Sequence, residues 1–112
     1  MSKRKICVVV TARPSYSRIR TALQAIRARD DLELQLVVAA SALLDRYGGA
    51  VQAIERDGFD IAERVYMVLE GENLVTSAKS TGIGLSELAT VFDNRKPDAV
   101  VMVMGGNDGF NV

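Results

Sequence analysis

The clearest chemistry in this chain lies in Thr11-Ala12-Arg13-Pro14-Ser15-Tyr16-Ser17. The stretch follows an apolar run, Ile6 to Val10, and leads into an amphipathic one, so it reads as the tight turn between a buried strand and a helix. A helix N-terminus presents unpaired backbone N–H groups and a partial positive charge, a setting that suits an anion. The Arg13 guanidinium adds a planar fork that matches phosphate oxygens; the plainer alternative is a surface arginine that solvates the turn. Ser15 and Ser17 could donate to the same phosphate or act as capping residues. Tyr16 could stack on a base or sugar, or pack in the core. No G-x-G-x-x-G or P-loop pattern is present, which argues against ordinary dinucleotide binding and against a nucleoside triphosphatase.

Other reactive residue types are sparse. Asp45, Arg46 and Tyr47 read as a solvated loop, and Asp108 stands in Gly105-Gly106-Asn107-Asp108 without a partner base. Cys7 lies within the first apolar run, and with no histidine in the chain nothing activates its thiol. The missing histidines also remove the commonest zinc ligand and the usual general base. The residues thus assign no catalytic group, no metal site and no cofactor.

Net charge is zero, from 14 basic and 14 acidic residues, so no basic field exists to attract nucleic acid. Lys3-Arg4-Lys5 reads as a solvated flank. No apolar run reaches the ~18 residues of a membrane span, and one cysteine allows no disulfide within the chain. A cytoplasmic protein is the expectation. At 112 residues one domain is expected, burying roughly two-thirds of its unfolded surface.

The elements that must position the turn alternate. Strand-like runs cover Ile6–Val10, Leu32–Ala40, Ile61–Val68 and Ala99–Met104; helical patterns follow Pro14, mark Ala50, Val51 and Ile54, and run from Leu74 to Phe92. Gly58 reads as a left-handed C-cap, and Pro97 as a stop for the last helix. Gly82 and Gly84 interrupt that helix, either for close packing on the sheet or for the approach of a ligand or neighbouring backbone. This rhythm predicts an α/β fold: a Rossmann-like, doubly wound parallel sheet of about four strands ordered 3-2-1-4, with the third strand at an edge. Ligands of such sheets sit outside the carboxyl ends of the strands where the order reverses. That places the Arg13 turn and the 105–108 loop together. Residues 105–112 read as an irregular tail.

Several segments together resemble the UDP-N-acetylglucosamine 2-epimerases, especially the hydrolysing branch that feeds sialic-acid-like sugar synthesis. They are the Thr11–Tyr16 turn, Tyr47-Gly48, Ile54-Glu55-Arg56-Asp57-Gly58-Phe59-Asp60-Ile61, Lys79-Ser80-Thr81-Gly82-Ile83-Gly84-Leu85 and Lys96-Pro97-Asp98-Ala99-Val100. The resemblance implies the N-terminal part of a glycosyltransferase-B-type architecture, in which two Rossmann-like domains enclose the active site. It implies proton removal at carbon 2 of a UDP-sugar, expulsion of UDP through a glycal-like intermediate, and addition of water to give an N-acetylmannosamine-type sugar. It also places Arg13 near the nucleotide phosphates.

The departures are specific. The family usually carries an acidic residue at the position of Ser15, and many members a histidine near Ala42. The family's Gly-Asp-Arg-aromatic-Glu motif has no clear match in Met104-Gly105-Gly106-Asn107-Asp108-Gly109-Phe110. The expectation is an N-terminal fragment, inactive alone, with an uncovered sheet edge and a tendency to form homo-oligomers. The alternative is a stand-alone nucleotide-sugar or anion-binding module, or an interaction domain.

Overall fold

The computed structural model describes residues 3–11, 13–43, 50–66 and 74–102. Four parallel strands form one sheet in the order β3-β2-β1-β4, as the alternation predicts. They are β1 (Arg4–Val10), β2 (Leu32–Ala39), β3 (Ile61–Val65) and β4 (Ala99–Met102). Helices α1 (Arg13–Ala28), α2 (Ala50–Arg56) and α3 (Leu74–Arg95) connect them, with a short 3₁₀ turn over Ala40–Leu43. The expected ends of the third and fourth strands, 67–68 and 103–104, lie outside the described residues, as does the 105–112 tail.

The two middle strands explain the near-continuous apolar runs. In β1, residues Cys7 to Val10 are buried on both faces, and Leu36 to Ala39 do the same in β2. Val8, Val10, Leu36 and Val38 point to the side covered by α1 and α2, where Tyr16, Leu23, Ile54 and Phe59 complete the core. Cys7, Val9, Val37 and Ala39 point to the other side, where Val65, Leu88 and Val91 meet them. The edge strands are less covered. On β4, Val100 faces one side and Val101 the other, and they are 45% and 37% exposed.

The punctuation follows its chemistry. Gly58, at φ 81°, ends α2. The Gly58 N–H donates to the Glu55 carbonyl and the Phe59 N–H to that of Ile54, while Phe59 and Ile54 share the same core cluster. α3 runs three residues past Phe92 to Arg95, and Lys96 after it takes a left-handed φ of 46° without being glycine. Pro97 follows and bars the helical conformation from Lys96. Asp98 then ties the start of β4 to β1: its N–H donates to the Lys5 carbonyl at 2.8 Å, and its carboxylate accepts the Lys5 N–H at 2.7 Å. Arg95, the last residue of α3, clamps the irregular β2–β3 register by donating to the Ala62 carbonyl (2.9 Å) and pairing with Glu63 (3.0 Å).

Candidate functional site at the carboxyl end of the central strand

β1 is a central strand, flanked by β2 and β4, and its carboxyl end opens into α1. Thr11 leaves the strand fully buried. Its carbonyl accepts the Ala42 N–H at 3.1 Å, so the turn after β1 is stitched to the 3₁₀ turn after β2. That second turn opens at Ala40, held at a left-handed φ of 55°. Two strand ends are therefore locked side by side beneath the start of α1.

Arg13 is the first residue of α1; its side chain lies outside what the structure describes. No acidic residue stands in the first turn of α1, so nothing within the helix neutralises the positive end of its dipole. Ser15 is buried at 3% exposure, whereas Ser17 is exposed. Two residues apart on a helix means about 200° of rotation, so the structure sets these two hydroxyls on opposite sides of α1. Ser15 accompanies the turn inward, and Ser17 lies on the outer surface.

Of the two roles open to Tyr16, the structure shows the packed one. Its ring is buried and meets Phe59 edge-on, with centroids 6.4 Å apart and planes at 84°. Its hydroxyl donates to the Asp57 carboxylate at the C-terminus of α2. Asp57 also takes the Arg20 guanidinium at 3.4 Å, and Arg27 stacks over Phe59 at 4.1 Å. Burial, reinforced by the bond to Asp57, pushes the Tyr16 hydroxyl up to about 12. Sequence reasoning missed this cluster, although its signal is in the helix spacing: Tyr16, Arg20, Leu23 and Arg27 share one stripe of α1.

The remaining candidates separate clearly. Asp45, Arg46, Tyr47 and the 105–108 loop lie outside the described residues. Cys7 is buried and burial pushes its thiol up, away from nucleophilic use. Among the described residues no group of three or more His, Cys, Asp or Glu could hold a metal, and no helix is long and apolar enough to cross a membrane. Gly84 is buried, while Gly82 is exposed with nothing within 4 Å of a Cβ placed there. Asp31, Glu33 and Asp98 stand at the amino ends of their strands, remote from the turn. The described arrangement is suited to holding an anion and offers no proton-transfer pair.

Comparison with known proteins matches residues 24–106 to the family model described as UDP-N-acetylglucosamine 2-epimerase. The GDP/UDP-N,N'-diacetylbacillosamine 2-epimerase (hydrolyzing) of Campylobacter jejuni is 30% identical over 103 residues, covering 92% of this chain and 27% of that protein. The polysialic acid biosynthesis protein P7 of Escherichia coli is 28% identical over 102 residues, covering 91% and 26%. Among solved structures, a UDP-N-acetylglucosamine 2-epimerase superposes with a TM-score of 0.71 at 19% identity over 89% of this chain and 25% of that one. The Neisseria meningitidis UDP-GlcNAc 2-epimerase bound to UDP-GlcNAc gives 0.69 at 15% identity, over 88% and 25%. At these identities the structural matches establish the fold. The chain spans about a quarter of the length of each of these relatives.

Proposed function

Because this chain belongs to the UDP-N-acetylglucosamine 2-epimerase family, we propose that it is the N-terminal, phosphate-facing part of a hydrolysing 2-epimerase and that it turns over no substrate alone. The observation that carries the reading is the acid-free N-terminus of α1, opening at Arg13 from the carboxyl end of a central parallel strand. In this reading the backbone N–H groups of the first turn and the Arg13 guanidinium hold the diphosphate of a UDP-sugar. Ser15 completes the turn from inside, and Ser17 serves the outer rim. Holding the diphosphate stabilises the charge that develops on departing UDP.

Elimination across carbons 1 and 2 of the sugar also needs a base for the carbon-2 proton and an acid or positive field for the leaving group. In this reading the described residues contribute only to the phosphate side. The expected product of a complete enzyme is UDP with an N-acetylmannosamine-type sugar, made in the cytoplasm, where a single buried thiol stays reduced.

Two measurements test this reading. UDP release from UDP-N-acetylglucosamine by the purified chain is expected to stay at background; turnover that survives repurification overturns the claim of inactivity. UDP binding followed by isothermal titration calorimetry is expected to be weak and to weaken further in Arg13→Ala. Equal binding by both proteins removes Arg13 from the site.

A further inference from the structure

The start of α1 is weakly held by its own sequence. Ala12 precedes the helix and has no side-chain oxygen to offer the free N–H groups, and no acidic residue stands in the first turn. Helix ends of this kind fray. Here the end is held from outside, on both flanks. Before the helix, the Thr11 carbonyl accepts the Ala42 N–H at 3.1 Å. Within the first turn, the Tyr16 hydroxyl donates to the Asp57 carboxylate. Both partners belong to the connection from β2 to β3. Ala42 stands in the 3₁₀ turn after β2, and Asp57 directly follows α2.

The anchors are themselves fixed. Tyr16 and Ala42 are buried in one core cluster with Ala50 and Ile54 of α2 and with Phe59. Ala40 opens the 3₁₀ turn at a left-handed φ of 55°. A residue with a side chain keeps that conformation only where its surroundings determine it.

We infer that the β2–β3 connection is the frame that sets the Arg13 turn, with Tyr16 as the positioning residue inside that turn. The inference rests on the phosphate reading of the turn. Arg13 lies about 4.5 Å from Tyr16 along the helix axis. With both flanks fixed, the first N–H groups of α1 are ordered before an anion arrives, and binding does not have to order them. Without the Tyr16 bond the turn is held on one flank only, and each binding event must also close it. Arg20 and Arg27 reach Asp57 as well, but from later turns of α1, where they hold the body of the helix.

Titration of the 112-residue chain with UDP, followed through the backbone amide resonances of Arg13 and Ser15, tests this. All proteins are compared at a temperature where circular dichroism shows them folded. The wild-type chain is expected to bind weakly. Tyr16→Phe keeps the ring against Phe59 and is expected to bind roughly three- to tenfold more weakly, the reach of one hydrogen bond. Asp57→Ala is expected to lose at least as much, and the double variant no more than Asp57→Ala alone, because both changes remove the same bond. Ile26→Val trims the same core without touching either anchor and is expected to leave the affinity unchanged. Equal binding by the wild-type chain and Tyr16→Phe overturns the inference and leaves the phosphate reading in place. So do losses that add in the double variant, or a matching loss in Ile26→Val, which would make Tyr16 a contributor to folding alone. Wild-type resonances of Arg13 and Ser15 that UDP leaves unmoved overturn the phosphate reading, and the inference with it.

Discussion

α1 and α3 cover opposite sides of the same sheet, yet only one of them is finished on its outer side. α1 turns Tyr16, Leu23 and Ile26 inward. Side-chain bonds from Tyr16, Arg20 and Arg27 also fasten it to the end of α2. Its outer positions are exposed and carry Ser17, Arg18, Thr21 and Gln24 between small alanines, with no large apolar side chain. α3 packs Leu88 and Val91 on the sheet but leaves Val75 and Leu85 in water. The lesson concerns how to read amphipathicity. A helix with one apolar stripe needs one neighbour, while apolar side chains left on its outside call for a further layer.

The sharpest way to break this contrast is to truncate one leucine on each helix. Leu23→Ala removes a fully buried side chain from the α1 face and is expected to cost about 2–5 kcal/mol in urea unfolding. Leu85→Ala, measured at a concentration where the chain is monomeric, is expected to cost no more than about 0.5 kcal/mol. Equal losses would mean that the outer side of α3 is already covered within one chain.

Next in size is the bond that closes the α1 side. Tyr16→Phe keeps the ring and removes the donor to Asp57, for an expected loss of about 1–2 kcal/mol. It also tests a pH effect. The folded Tyr16 hydroxyl is pushed up to about 12 from an ordinary value of 10.0. A raised folded value favours the protonated form, so its contribution is whole below pH 10 and is lost as pH climbs toward 12. The alkaline fall in stability is expected to be shallower in Tyr16→Phe. An identical fall in both proteins refutes the assignment to Tyr16.

Two smaller effects sharpen the picture of α3. Gly82→Ala adds a methyl group that meets nothing within 4 Å, in a helix interior, and is expected to stabilise the monomer by up to about 1 kcal/mol. Lys96→Gly relieves the left-handed backbone at the helix end, for an expected gain of about 0.5 kcal/mol, read as a small rise in the midpoint of thermal unfolding. A loss in either variant would show that the position makes a contact its geometry does not reveal.

Much of this was legible in the residues. β-branched runs at Ile6–Val10 and Ala99–Met102 mark covered and partly covered strands, and the alternation with helices leads to the 3-2-1-4 order, because right-handed crossovers leave few alternatives. Gly58 announced its C-cap through its type and place. The site was half legible. A strand running into a helix at Arg13 marks a helix N-terminus without acidic residues, but residue types could not say which serine turns inward, since that depends on the helical phase of α1 against the sheet. Tyr16 was ambiguous for a related reason. Its partner Asp57 is 41 residues away, and no local pattern reports a bond across that distance. The exposure of Val75 and Leu85 on α3 was hidden because apolar residues on both sides of one helix blur its periodicity.

The sheet order also sets a timetable for synthesis. Arg4 meets its β2 partner Leu32 after 28 residues, but Ile6 must wait for Ala99 on β4. At ribosomal speeds of about 5–20 residues per second, that gap of some 90 residues holds one flank of β1 open for roughly 5–20 s. During that time Val8 and Val9 expose main-chain groups with no cognate strand. Early collapse of β1, α1 and β2 can proceed, while closure of the sheet is a late and slow step that leaves the nascent chain in need of protection from its neighbours.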